Sequence, residues 1–102
     1  MLSTYDQRRR WIIAWLQQRH IATKVRATVD VLNQDFVNAY IKATGAKSIA
    51  VLWGADKCRL LSRDLTRMCH EGSLQRTRQG LQDMGPDFPR WVWVYELPEH
   101  LQ

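Results

Sequence analysis

Arg59, Arg63 and Arg67 recur at every fourth position, and neither Gly nor Pro interrupts the chain from Ala55 to Glu71. On a helix advancing about 100° per residue, their guanidiniums form one ridge with neighbours roughly 6 Å apart. Thr66 and His70 fall on the same side, while Cys58, Leu61, Leu65, Met68 and Cys69 gather on the opposite side. Like charges at this spacing cost a few tenths of a kcal/mol per pair, which Asp56, Asp64 and Glu71 relieve in part. Arginine is suited to two-pronged contact with phosphate and with guanine in a major groove. A charge run is also the ordinary face of a solvated helix, so the surrounding residues have to decide.

After Gly72 the period changes from 3.6 to 2: Leu74, Arg76 and Arg78 alternate with Ser73, Gln75, Thr77 and Gln79. Arg90 immediately precedes Trp91-Val92-Trp93-Val94-Tyr95, a strand by residue type. Gly80 to Arg90 holds two Gly and two Pro, so the two strands form a hairpin with a long tip. Asp83 and Asp87 at that tip argue against its deep insertion into a polyanion. Trp91, Trp93 and Tyr95 share one face of the strand. Because a lone hairpin is marginal in water, that larger apolar face is expected to lean on the helices, with Leu74 nearby and with Val92 and Val94 more exposed.

Other chemistries lack their residues. Cys58 and Cys69 stand eleven positions apart, about 16 Å along a helix, too far for one zinc ion. No Gly-x-Ser-x-Gly, phosphate-binding Gly-rich loop or His-Glu-x-x-His is present. His20 and His70 could act as bases, but no catalytic motif spacing supplies either with a second group. The expectation is a protein without catalysis, metal or cofactor, and no small-molecule ligand is inferred.

The supporting elements follow from periodicity and caps. Ser3, with Asp6 three residues on, predicts the start of a helix over 4–20 whose stripe is Tyr5, Ile12, Trp15 and Leu16. Trp11 lies off that stripe, suggesting a second surface and a homodimer through helix 1. Arg8-Arg9-Arg10 opposes the helix dipole, suggesting phosphate contact or an acidic partner. Ile21 to Val29 reads as a connection that permits a short extended piece. Val29 to Leu32 fits either a strand or a helical turn. Asn33 caps a helix over 34–44 that stops at Gly45. Ile49 to Trp53 is a short buried strand or a helical turn, and Gly54 breaks it. The third helix is expected over 55–71, with Gly72 as its stop. Residues 98–102 are expected to fray.

Length and charge bound the rest. The chain has 102 residues, 45% hydrophobic and 25% charged, with a net charge of +5, which fits one ordinary globular domain over 1–102. Residues 1–27 carry six Lys/Arg against one acid and residues 46–79 seven against three, so the basic charge sits in two blocks, as a polyanion partner would favour. No apolar run approaches the ~20 residues of a membrane helix. Two cysteines make no disulfide framework, so the cytoplasm is the expected setting.

Helix, helix, basic helix, glycine and an arginine-bearing hairpin, in that order, resemble the winged helix-turn-helix family. The likeness runs from Cys58 to Leu97, through Leu61, Leu65 and Met68, Gly72-Ser73-Leu74, Arg76, Arg78 and the strand Trp91 to Tyr95. Helices 1 and 2 match by position and pattern, and the 45–54 segment is longer than the family's usual turn. The resemblance implies an α+β fold: three helices followed by a two-stranded antiparallel wing, with room for a short extra strand. It implies a double-stranded-DNA-binding regulator of transcription. Arg59, Arg63, Thr66, Arg67 and His70 would face the major groove, and Lys57 a backbone phosphate. Arg76, Arg78 and Arg90 would act from the wing. The rival is a binding module whose basic face docks on an acidic protein. RNA binding would require Trp91, Trp93 and Tyr95 to be solvent-exposed.

Overall fold

The structure, a computed structural model, describes residues 1–23, 27–51, 55–82, 85, 86 and 88–102. Its elements are α1 (Tyr5–Thr23), β1 (Thr28–Val29), α2 (Gln34–Thr44), α3 (Arg59–Glu71), β2 (Gln75–Gly80) and β3 (Trp91–Glu96), with a 3-10 turn at Glu99–Leu101. The class is α+β, with three helices and one antiparallel sheet. That sheet has three strands rather than two, in the order β1-β3-β2.

The helices begin and end where backbone groups find partners. At α1 the cap is Thr4, not Ser3. Thr4 Oγ1 accepts the Gln7 N–H, while Gln7 Oε1 accepts the N–H groups of Thr4 and Ser3, a reciprocal capping box. Asn33 caps α2 as expected, accepting the Phe36 N–H at 3.1 Å. Gly45 ends α2 at φ +69 with its N–H on the Ile41 carbonyl. Gly72 ends α3 at φ +82. There the Gly72 N–H bonds Cys69 and the Ser73 N–H bonds Met68, the paired closure that a left-handed glycine permits.

Several boundaries differ from the sequence reading. Helix α1 runs to Thr23 rather than residue 20, so Ile21 to Thr23, read as the start of a connection, continue the helix. Helix α3 starts at Arg59 instead of Ala55, because Lys57 and Ile49 exchange two backbone hydrogen bonds of 2.8 Å each. A residue held in such a bridge cannot join the helix. Ile49 is accordingly 69% exposed, neither buried strand nor helix. Asp30 to Leu32 is a turn closed by Asp30 Oδ1 on the Leu32 N–H, and only Val29 of that stretch belongs to a strand. The closing residues are docked rather than frayed: Leu101 packs on the core and its carbonyl accepts from Gln17 Nε2. The expectations resting on Val25, Trp53, Gly54, Asp83 and Asp87 lie outside the described residues.

The core joins the three helices with β1 and β3. Ile12 and Leu16 of α1, Phe36, Val37 and Tyr40 of α2, and Leu61, Leu65 and Met68 of α3 are buried with Val29, Leu74 and Tyr95. Trp11 stacks on Phe36 and meets Tyr40 edge-on, and Trp15 also packs on Phe36. The second surface on α1 is therefore spent on α2, which removes the aromatic argument for a dimer there.

Candidate nucleic-acid interface

The apolar face of α3 is consumed by the core, and this turns its other face outward. Arg59, Arg63, Arg67 and His70 are exposed and Thr66 is half-buried. Arg59, Arg63 and His70 project from a shallow depression floored in part by Ser62 and Thr66. Lys57 is exposed in the bridged turn two residues before the helix.

Arg67 is engaged differently. Its guanidinium lies 3.8 Å from the centroid of the Tyr5 ring, and its Nε donates to Glu71 Oε1 at 3.1 Å. The Tyr5 hydroxyl donates to the other Glu71 oxygen at 2.7 Å. These bonds, Tyr5 first and Arg67 with it, hold the Glu71 carboxyl below its ordinary pKa. Burial, together with the bond to Glu71, pushes the Tyr5 hydroxyl upward. Arg67 thus belongs first to a clasp between α1 and α3.

Asp64 does not relieve the arginine ridge. It is buried, and Arg8 Nε donates to its Oδ2 at 2.7 Å. Arg8 Nη2 reaches Oδ1 at 3.2 Å, and the Tyr40 hydroxyl donates to Oδ2 at 2.6 Å. The bond to Asp64 raises the Arg8 pKa, against the opposing effect of burial. Arg9 and Arg10 both pair with Asp6, at 2.7 and 2.9 Å. Arg8 is therefore committed inside the fold, whereas Arg9 and Arg10 share one surface aspartate, with Arg10 74% exposed. A signal was present in the sequence: Arg8 occupies the inward stripe between Tyr5 and Ile12, and Asp64 borders the apolar arc of α3.

The wing differs from expectation along its length. Tyr95 is buried, Trp93 packs partly on the core, and Trp91 is 39% exposed. On this aromatic face burial declines from Tyr95, beside the β1 pairing, to Trp91. Val92 is buried, in a cleft of about 350 Å³ that it lines with Val31, Leu32 and Pro89. The expected contrast between a buried aromatic face and an exposed valine face thus fails for Trp91 and Val92.

Arginines from β2 cover what the helices do not. Arg76 stands opposite Tyr95 and Arg78 opposite Trp93, so both share the aromatic face. Arg76 lies 4.2 Å from the Trp93 ring centroid and Arg78 4.2 Å from that of Trp91. Arg78 is exposed and Arg76 half-buried, while Arg90 is exposed just before β3. The pairing of a period-two arginine strand with a period-two tryptophan strand is the signal that could have revealed Trp91 and Trp93.

Ser62 and Thr66 join the two surfaces, since they line both the depression under Arg59 and Arg63 and the cleft against Trp91 and Trp93. Lys57, Arg59, Arg63 and His70 make no side-chain hydrogen bond or ion pair among the described residues. Cys58 is buried and Cys69 half-buried, both free thiols. Burial pushes the Cys69 thiol upward, with the nearby Arg76 charge opposing it. Among the described residues, no group of three His, Cys, Asp or Glu side chains could hold a metal ion, and no helix is long and apolar enough to cross a membrane. No protein-family model, curated protein or solved structure matches the chain.

Proposed function

We propose that this chain is a winged-helix protein that binds double-stranded DNA and regulates transcription through that contact. In this reading α3 enters the major groove, and the β2–β3 wing meets the backbone or minor groove. The observation that carries it is the presence of exposed arginines on two neighbouring elements, α3 and the wing, which meet across the neutral residues Ser62 and Thr66. On the wing, Arg76 and Arg78 cover the aromatic face. A helix for base edges beside a strand pair for phosphates is the division of labour that duplex recognition requires. The chain order and the sheet order β1-β3-β2 fit the winged-helix pattern with its short extra strand.

Arg59 and Arg63 are the base-reading candidates, with Thr66 and His70 beside them and Lys57 at a phosphate. Arg76, Arg78 and Arg90 serve the wing. Arg67 contributes less because Glu71 and Tyr5 hold it.

Salt dependence tests this reading. If Lys57, Arg59, Arg63, Arg76 and Arg78 each displace about one counterion, log K against log salt falls with a slope of about −4 to −5 on random duplex. No binding at low salt, or a flat dependence, overturns the proposal and leaves docking on an acidic protein as the use of this face.

A further inference from the structure

Four side chains form a column on one face of the hairpin. Arg76 lies at the inner end, against the Trp93 ring and beside the Tyr95 hydroxyl. Trp91 meets Trp93 edge to face, with centroids 5.1 Å apart and planes at 86°. Arg78 lies over Trp91 at the outer end. The inner end is fixed, because Tyr95 is buried and Trp93 packs on the core. The outer end stands in solvent.

Trp91 is 39% exposed, whereas Tyr95 is buried and Trp93 packs on the core, so its indole is the least committed to the fold of the three. Beside the cleft that it lines with Ser62 and Thr66, its ring meets Trp93 on one side and Arg78 on another. Gly80 stands opposite Trp91, so no β2 side chain competes with Arg78 for the space over that ring. A free arginine must surrender considerable rotamer freedom when it grips a ligand. Stacking occupies the flat face of the guanidinium and leaves the N–H fork at its edge available.

We infer that Trp91 is a positioning residue for Arg78, holding its N–H fork outward as a preformed phosphate contact of the wing; the phosphate, though not the stacking, rests on the DNA reading. Trp91 acts through Arg78 and makes no essential contact of its own with the nucleic acid.

The test is a double-mutant cycle on duplex affinity across a range of salt, each variant shown to be folded by its melting temperature. Arg78→Ala weakens binding and makes the slope shallower by about 0.9, the loss of one phosphate contact. Trp91→Leu weakens binding about five- to tenfold with the slope unchanged, because order is lost but no charge. Trp91→Phe keeps a ring under the guanidinium and recovers most of that loss. Once Arg78→Ala is present, adding Trp91→Leu changes affinity by less than about twofold. Equal losses in both backgrounds, or no loss from Trp91→Leu alone, overturn the inference.

The free protein separates this inference from the DNA reading. By NMR relaxation the Arg78 Nε–H is ordered in the wild type and falls below ~0.6 in order parameter in Trp91→Leu. A wild type that binds no duplex, with the release still seen in Trp91→Leu, upholds the positioning and sinks the DNA reading. Equal mobility of Nε–H in both proteins overturns the positioning, whatever the duplex result.

Discussion

Glu71 is bonded to two side chains at once, the Tyr5 hydroxyl from α1 and the Arg67 guanidinium from its own helix. Arg67 in turn stacks on the Tyr5 ring, so three side chains close one clasp. Half of it could be read from the sequence, since Arg67 and Glu71 are four apart on a helix. Tyr5 could not be, because it comes from 66 residues away. With its pKa held down by these bonds, Glu71 makes stability depend on pH in a definite sense. Between its folded and unfolded pKa values the unfolded chain binds more protons, so stability rises with pH through that window. The contribution is present above the ordinary glutamate pKa and lost as pH falls through the depressed one. Glu71→Gln should therefore melt below wild type at neutral pH, and the two melting curves should converge as acid protonates Glu71. Parallel melting temperatures across the whole acid range would show that the clasp contributes nothing.

At the scale of the element, α3 separates two roles by face, and a pair of substitutions can tell them apart. Arg63 is exposed and makes no side-chain ion pair among the described residues, whereas Leu65 is fully buried. Arg63→Ala should cost about 1–3 kcal/mol of DNA affinity with the melting temperature nearly unchanged. Leu65→Ala should cost about 2–5 kcal/mol of folding stability through the cavity it leaves. The reverse pattern in equilibrium unfolding and duplex titration would remove α3 as the reading element. The two faces were legible because a 3.6-residue period and the glycine stop at Gly72 are local properties. The start of α3 was not, since the bridge that withholds Lys57 from the helix comes from Ile49. The hairpin shows the same division: its period of 2 is written in residues 74–79 and 91–95. How far each tryptophan is covered depends on packing from other elements, and no local pattern encodes that.

Across the whole molecule, one buried charge pair binds the three helices. Asp64 of α3 accepts from Arg8 of α1 and from Tyr40 of α2, and the side chains of Arg8 and Asp64 are only 12% and 4% exposed. The same contact fixes how the outward face of α3 stands relative to the rest of the domain. In the sequence Asp64 resembled a surface acid among arginines, because a helical projection shows neighbours on one element and not partners on another. Burying two charges consumes much of the energy that their attraction returns, so the pair is expected to matter most when only one member is removed. Asp64→Asn keeps the shape and an acceptor for Tyr40 but strips Arg8 of its counter-charge. It should lower the unfolding free energy by about 3–5 kcal/mol. Replacing the whole group by apolar side chains, as Arg8→Met, Asp64→Leu and Tyr40→Phe together, should recover most of that loss, since no buried charge is then left alone. Urea unfolding of the two variants beside wild type decides the matter. If Asp64→Asn falls within about 0.5 kcal/mol of wild type, the three-helix tie is idle. If the apolar triple is as unstable as the single variant, the packing around Asp64 rather than its charge holds α3 in place.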